Sequence, residues 1–137
     1  MTVKEYLGQA YRLDQRINSK LEQVMLLREL ASKASSTLSE TAPSGTRNVY
    51  RMEDIVVKIM DQENEINRDI DDLINLKREM VSVIKAVTNP EYQTILELRY
   101  LCFKTWEQIA VDMNYSIQHI YRLRDKALKE ITPPAAG

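Results

Sequence analysis

The sequence predicts an all-α protein: a long antiparallel helical hairpin, or coiled-coil arm, followed by a small helix-turn-helix domain. Three observations carry that prediction. Apolar residues recur at threes and fours through most of the first 88 positions, the period of an amphipathic helix. Only three Gly and four Pro interrupt 137 residues rich in Leu, Ile, Glu, Lys and Met, so the strongest helix breakers are scarce. Finally, Thr105 to Ile131, TWEQIAVDMNYSIQHIYRLRDKALKEI, reads as two short helices around a tight turn, each with its own cap.

The arm spans residues 1–88. Tyr6, Ala10, Leu13, Ile17, Leu21, Val24, Leu27, Ala31 and Ala34 form the apolar stripe of a first helix, from about residue 2 to 37. The stretch SSTLSETAPSGTRN, holding Pro43 and Gly45, predicts a flexible loop at about 38–50. In the second helix Met52, Ile59, Ile66, Leu73, Met80 and Val87 fall every seven residues, and Val56, Ile70 and Ile84 stand four beyond members of that row. This is a coiled-coil seam of about five heptads, with Glu63 and Lys77 interrupting its second row and specifying register. Two helices alone bury two such seams poorly, so a second copy or another protein is expected to complete them.

Asn89 followed by Pro90 closes the arm, because Pro suits the first turn of a new helix and not an interior. The domain at 89–131 therefore begins with a helix from Pro90 to about Cys102, whose Ile95, Leu98 and Leu101 or Cys102 face the same core as Trp106. Cys102 reads as a small buried hydrophobe. Thr105 caps the next helix and Gln108 completes a capping box. Trp106, Ile109, Ala110 and Met113 share its apolar face, with Ala110 small where the helix axes cross. Asn114 is the non-glycine residue best suited to a left-handed turn, and Tyr115 plugs the corner. Ser116 caps the last helix, whose apolar side is Ile120, Leu123, Ala127, Leu128 and Ile131. A tail at 132–137, TPPAAG, is expected to be disordered.

A unit of this kind presents its second helix to the major groove of double-stranded DNA. Arg122 is the first candidate for a base contact, since its guanidinium pairs bidentately with guanine. Gln118 can pair with adenine, and Tyr121 can meet a phosphate or a thymine methyl. Ile117 reads a methyl group or covers the corner. Ser116 and His119 lie at the first turn, near the nucleic-acid backbone. Arg124, Lys126 and Lys129 position phosphates or remain solvated charges, whereas Trp106 is a core anchor. Charge is segregated: Met52 to Thr88 carries nine acidic against five basic residues, and Asn114 to Ile131 carries four basic against two acidic. The net charge of −1 implies few phosphate contacts and modest intrinsic affinity, so oligomerisation or tethering is expected to supply the rest.

TWEQIAVDMNYSIQHIYRLRDKAL resembles, without gaps, the DNA-binding module of bacterial sigma factors, region four. The preceding PEYQTILELRYLCFK is similar to the helix before it there, with Leu96 to Tyr100 matching a Leu-x-Leu-Arg-Tyr pattern. Small phage-encoded regulators of late gene expression, the ArpU and RinA type, share the plan of a helical front half before such a module. The resemblance implies a phage or prophage transcriptional regulator, with RNA polymerase as a candidate partner. It also implies that Ile117, Gln118, His119, Tyr121 and Arg122 face the promoter element. Region four often has Arg and Glu where this chain has Ile117 and Gln118, so its usual promoter sequence is not implied.

Other chemistry finds little purchase. With a single His and a single Cys, in different helices, no metal site is expected. Asp69, Asp71 and Asp72 point in different directions on a helix and do not converge. Neither a phosphate-cradling glycine loop nor a Ser-His-Asp pattern occurs, so neither an enzyme nor a cofactor is expected. No membrane segment or signal peptide is expected, and the cysteine usage fits a reducing cytoplasm. Three alternatives stand beside the regulator: a phage DNA-packaging recognition subunit, a sigma- or polymerase-interacting protein that leaves DNA alone, and a purely structural helical bundle.

Overall fold

The computed structural model describes residues 1–40 and 45–134, with side chains described at 1–33 and 51–134. The described residues form helices and short connections, with no strand among them. In order these are α1 (Val3–Glu40), α2 (Gly45–Lys85), α3 (Pro90–Leu96), a π-helical continuation (Glu97–Leu101), α4 (Trp106–Met113) and α5 (Ile117–Glu130). Helical backbone runs further into the expected loop at 38–50 than its composition suggested, up to Glu40 and again from Gly45. The centre of that loop and the last residues of the expected tail lie outside the described residues. No helix among the described residues is long and apolar enough to cross a membrane. The chain divides into two compact units, Gln15–Asp72 and Met1–Asp14 with Leu73–Gly137.

In the unit Gln15–Asp72 the segments of α1 and α2 pack through Ile17 and Val24 on one side and Ile55, Ile59 and Ile66 on the other, all buried. Cross-helix pairs link Lys20, Gln23 and Arg28 of α1 to residues between Gln62 and Asp69 of α2. Lys20 Nζ meets Asp69 Oδ2 at 2.7 Å and Glu65 Oε2 at 3.4 Å. Gln62 Nε2 donates to Gln23 Oε1 at 2.9 Å, and Arg28 pairs with Glu63. The row every seven residues is buried at Ile59 and Ile66, yet within this unit its companion row differs from the expected one, whose third member, Ile84, is buried in the other unit. Ile55, Gln62 and Asp69, three beyond the first row, turn inward, whereas Val56 and Ile70, four beyond it, stay 44% and 37% exposed. The physical reason is that a row of period seven fixes only the middle of a stripe. Which flank completes it depends on the facing helix, and here Lys20 and Gln23 supply partners for two polar side chains.

In the other unit, Leu7, Met80, Ile84, Ile95, Leu96, Ile109 and Ile120 are fully buried in one apolar cluster, with Tyr6, Ala10, Leu123 and Ala127 around them. Asn89 is the N-cap of α3, its Oδ1 accepting from Glu91 N at 2.9 Å, with Pro90 in the first turn. Gln93 Nε2 donates back to the Lys85 and Val87 carbonyls, satisfying groups left open where α2 ends. The π-helical stretch ends with Cys102 N donating to Glu97 O at 3.0 Å. Cys102 itself is exposed, contrary to expectation, because the wider turn rotates it off the apolar face while Ile95 and Leu96 fill the core. Lys77, expected to set coiled-coil register, instead donates from Nζ to Leu101 O at 3.2 Å.

Candidate functional site

Local signals build the α4–α5 pair one residue at a time. Thr105 Oγ1 accepts from Gln108 N at 3.1 Å while Gln108 Oε1 accepts from Thr105 N at 2.9 Å, the reciprocal capping box. Ile109 and Ala110 are buried, and Val111 is turned to solvent. Asn114 ends α4 at φ 62 and ψ 39, a left-handed residue. Tyr115 N then donates to Ala110 O at 2.9 Å, closing the helix end. Ser116 Oγ accepts from His119 N at 3.2 Å, opening α5.

Tyr115 is half-buried at the corner. Its hydroxyl donates to Glu91 Oε2 at 2.7 Å, tying the turn to α3. That hydrogen bond to a carboxylate holds the phenol above its ordinary pKa. The His119 ring sits edge-on to Tyr115, with centroids 4.7 Å apart, so the histidine is part of the corner.

Ile120, Leu123, Ala127 and Ile131 point inward from α5. On the opposite side Gln118, Arg122, Asp125, Lys126 and Lys129 are exposed. Gln118, Arg122, Asp125 and Lys129 follow one another at fours and threes, which lines them along one face. Among the described residues neither Arg122 nor Lys126 has an ion pair. The first turn of α5 carries no acidic side chain and its last turn carries Lys129, an arrangement that leaves the positive end of the helix dipole open.

Not every named residue is equally available. Ile117 packs against the core. Tyr121 is half-buried, with its hydroxyl 3.4 Å from Glu107 Oε1 on α4. Arg124 is 27% exposed, pairs with Asp125 Oδ1 at 3.0 Å and lies over the Tyr121 ring at 4.7 Å. It is a buttress for Tyr121 in this geometry, not a free cation. Glu91 and Glu107, which hold the two tyrosines, were not singled out by sequence reasoning. Each is an ordinary acidic residue in a first helical turn, and only the packing of helices reveals its partner. Asp69 faces Lys20 while Asp71 and Asp72 are exposed, so these carboxylates diverge.

One family model matches the chain, over residues 30–132, and describes a protein of unknown function, DUF1492. Neither a curated protein nor a solved structure shows a significant match.

Proposed function

The chain belongs to the DUF1492 family, and for it we propose a sequence-specific DNA-binding transcriptional regulator of phage or prophage origin. In this reading α4 and α5 form a helix-turn-helix and α5 enters the major groove of duplex DNA. The observation that carries it is the exposed row of Gln118, Arg122 and Lys129 on α5. That row projects from a helix fixed by the Ser116 cap, the left-handed Asn114 and the buried Ile120 and Leu123. Arg122 and Gln118 have the donors and acceptors that read base edges. Lys126 and Lys129 are placed for phosphates, and the open first turn of α5 favours a phosphate near Ser116. Arg124 positions Tyr121.

The front of the chain is a helical hairpin arm in the same proposal, and it joins two copies. Leu21 and Met25 stand seven and three residues before Arg28, while Val56 and Ile70 flank Glu63 by seven and Met60 precedes it by three. By helical spacing all five lie on the flank marked by the Arg28–Glu63 pair. All five are exposed, an apolar strip with a neutral ion pair at its centre. RNA polymerase remains a candidate partner of the regulator.

Selection of bound duplexes from a random pool tests the reading. A recovered consensus whose affinity falls by roughly 1–3 kcal/mol in Arg122→Ala, with relaxed preference at one position, supports it. Recovery of no consensus, or full affinity in the variant, contradicts it. The sigma-interacting alternative is distinguished by the same experiment, since that protein would retain no duplex.

A further inference from the structure

A cavity of about 270 Å³ opens within the unit Met1–Asp14 with Leu73–Gly137, away from the exposed row of α5. Gly8, Tyr11 and Arg12 of α1 form one wall, and Arg99, Tyr100 and Phe103 form another. Its chemistry is unusual for a packing defect. Arg12 and Arg99 have no carboxylate partner among the described residues; each guanidinium donates to one backbone carbonyl, Glu5 O at 3.1 Å and Lys104 O at 3.0 Å. Most of their N–H groups are therefore uncommitted. Around these charges stand three aromatic rings, and Tyr11 meets Phe103 edge to face at 5.6 Å.

Three independent features of the backbone converge on the same place. Arg99 and Tyr100 lie in the π-helical stretch Glu97–Leu101, a costly variant of the helix that is often found at functional sites. Phe103 has φ 61, a left-handed conformation unfavourable for an aromatic residue. It is held by the Lys77 ammonium 4.6 Å from its ring centroid, and such strain persists where the surroundings enforce it. Gly8 sits inside α1, where glycine weakens a helix. A Cβ there would come within 3.2 Å of Arg12 Nη1, so the missing side chain leaves room for that guanidinium.

We infer that this cavity is a binding site for a small aromatic anion, one planar ring carrying a carboxylate or phosphate. The volume sits just under the range usual for ligand sites, roughly 300–1,000 Å³, which fits one compact molecule and not a peptide. Tyr11 and Tyr100 offer ring faces and edges to the planar part. Arg12 and Arg99 offer paired N–H donors to the acid group, for which the guanidinium fork is suited. The site lies beside Trp106, whose ring is 5.6 Å from the Arg99 guanidinium and 6.2 Å from the Tyr100 ring. Ligand capture would therefore be sensed directly at the start of α4.

Calorimetric titration of the full chain tests the site with four probes: benzoate, phenyl phosphate, inorganic phosphate and benzyl alcohol. Saturable binding of benzoate or of phenyl phosphate is expected, and which of the two, sharing one ring, binds identifies the acid group. Inorganic phosphate and benzyl alcohol, each lacking half of the ligand, should bind at least about tenfold more weakly. Arg99→Gln and Arg12→Gln should each lose about tenfold in affinity while retaining their helical circular dichroism. Gly8→Ala, which crowds Arg12, should also weaken binding. Absence of saturable binding by both aromatic anions overturns the inference. Equal affinity for benzyl alcohol, or unchanged affinity in a folded Arg12→Gln, overturns it as well. The outcome is independent of duplex selection, so this site and the proposed DNA reading fail separately.

Discussion

Asp69 shows how one side chain can look like surface in the sequence and act as a seam residue in the fold. Acidic residues stand two and three positions beyond it, yet its carboxylate is largely buried against Lys20. The hydrogen bond from Lys20, opposed by burial and aided by the Arg16 charge, holds its pKa below the ordinary value. A carboxyl whose folded pKa is depressed contributes stability above its unfolded pKa, near 4, and loses it as pH falls through the lower folded value. Acid unfolding of the wild type should therefore steepen below about pH 4, and Asp69→Asn should flatten that limb. Lys20→Met should cost on the order of 1–3 kcal/mol by leaving the buried carboxylate only its longer, 3.6 Å contact with the exposed Arg16, whereas Lys20→Met with Asp69→Leu should recover most of it. Equal stability of both variants in urea would show that the pair is solvent-screened. The signal for this pair was absent from the local pattern, because Lys20 and Asp69 are 49 positions apart.

At the scale of elements, the capped ends of the short helices were legible, while the flanks of the long helices and their ends near residues 40 and 45 were not. Thr105 with Gln108, Asn89 with Pro90, Asn114 and Ser116 all act within about three residues, so the chain spells them out locally. Their geometry is present at each position. Within Gln15–Asp72 the companion row of α2 lies one residue from the expected Val56 and Ile70 because its choice depends on α1, whereas Ile84 of the expected row is buried. The π-helical stretch left no local signature either; it follows from docking Leu96 and Leu98 into the core while Lys77 holds the Leu101 carbonyl. Two predictions belong to the α4–α5 turn. Asn114→Ala should destabilise by roughly 1 kcal/mol because its φ is positive, and Asn114→Gly should be close to neutral. Ala110→Leu should overpack the crossing beside the Tyr115 amide by roughly 1–3 kcal/mol. Thermal melts of the three variants check both, and an Asn114→Gly as unstable as Asn114→Ala would show that more than backbone strain is at stake.

For the whole molecule, a net charge of −1 limits how tightly one copy can hold a polyanion. Of the basic residues on α5, Arg124 is already engaged with Asp125, which leaves Arg122, Lys126 and Lys129 for DNA. In the proposed reading, tight binding would then rest on two copies acting together. Sedimentation should show a concentration-dependent dimer, and Val56→Glu with Met60→Glu should render it monomeric without lowering helical content. A strict monomer at high concentration would remove the arm's proposed role. The central claim, that the polar face of α5 lies in the major groove, is tested most directly by a tethered cleavage reagent. Cys102 is free and exposed, so it is first replaced by Ser, and iron–EDTA is attached at Gln118→Cys. On the duplex the protein selects, strand scission should be confined to a few base pairs. A control reagent at Ser19→Cys on α1 should not reproduce that pattern. Uniform cutting by the position 118 reagent while the protein remains bound would contradict the account.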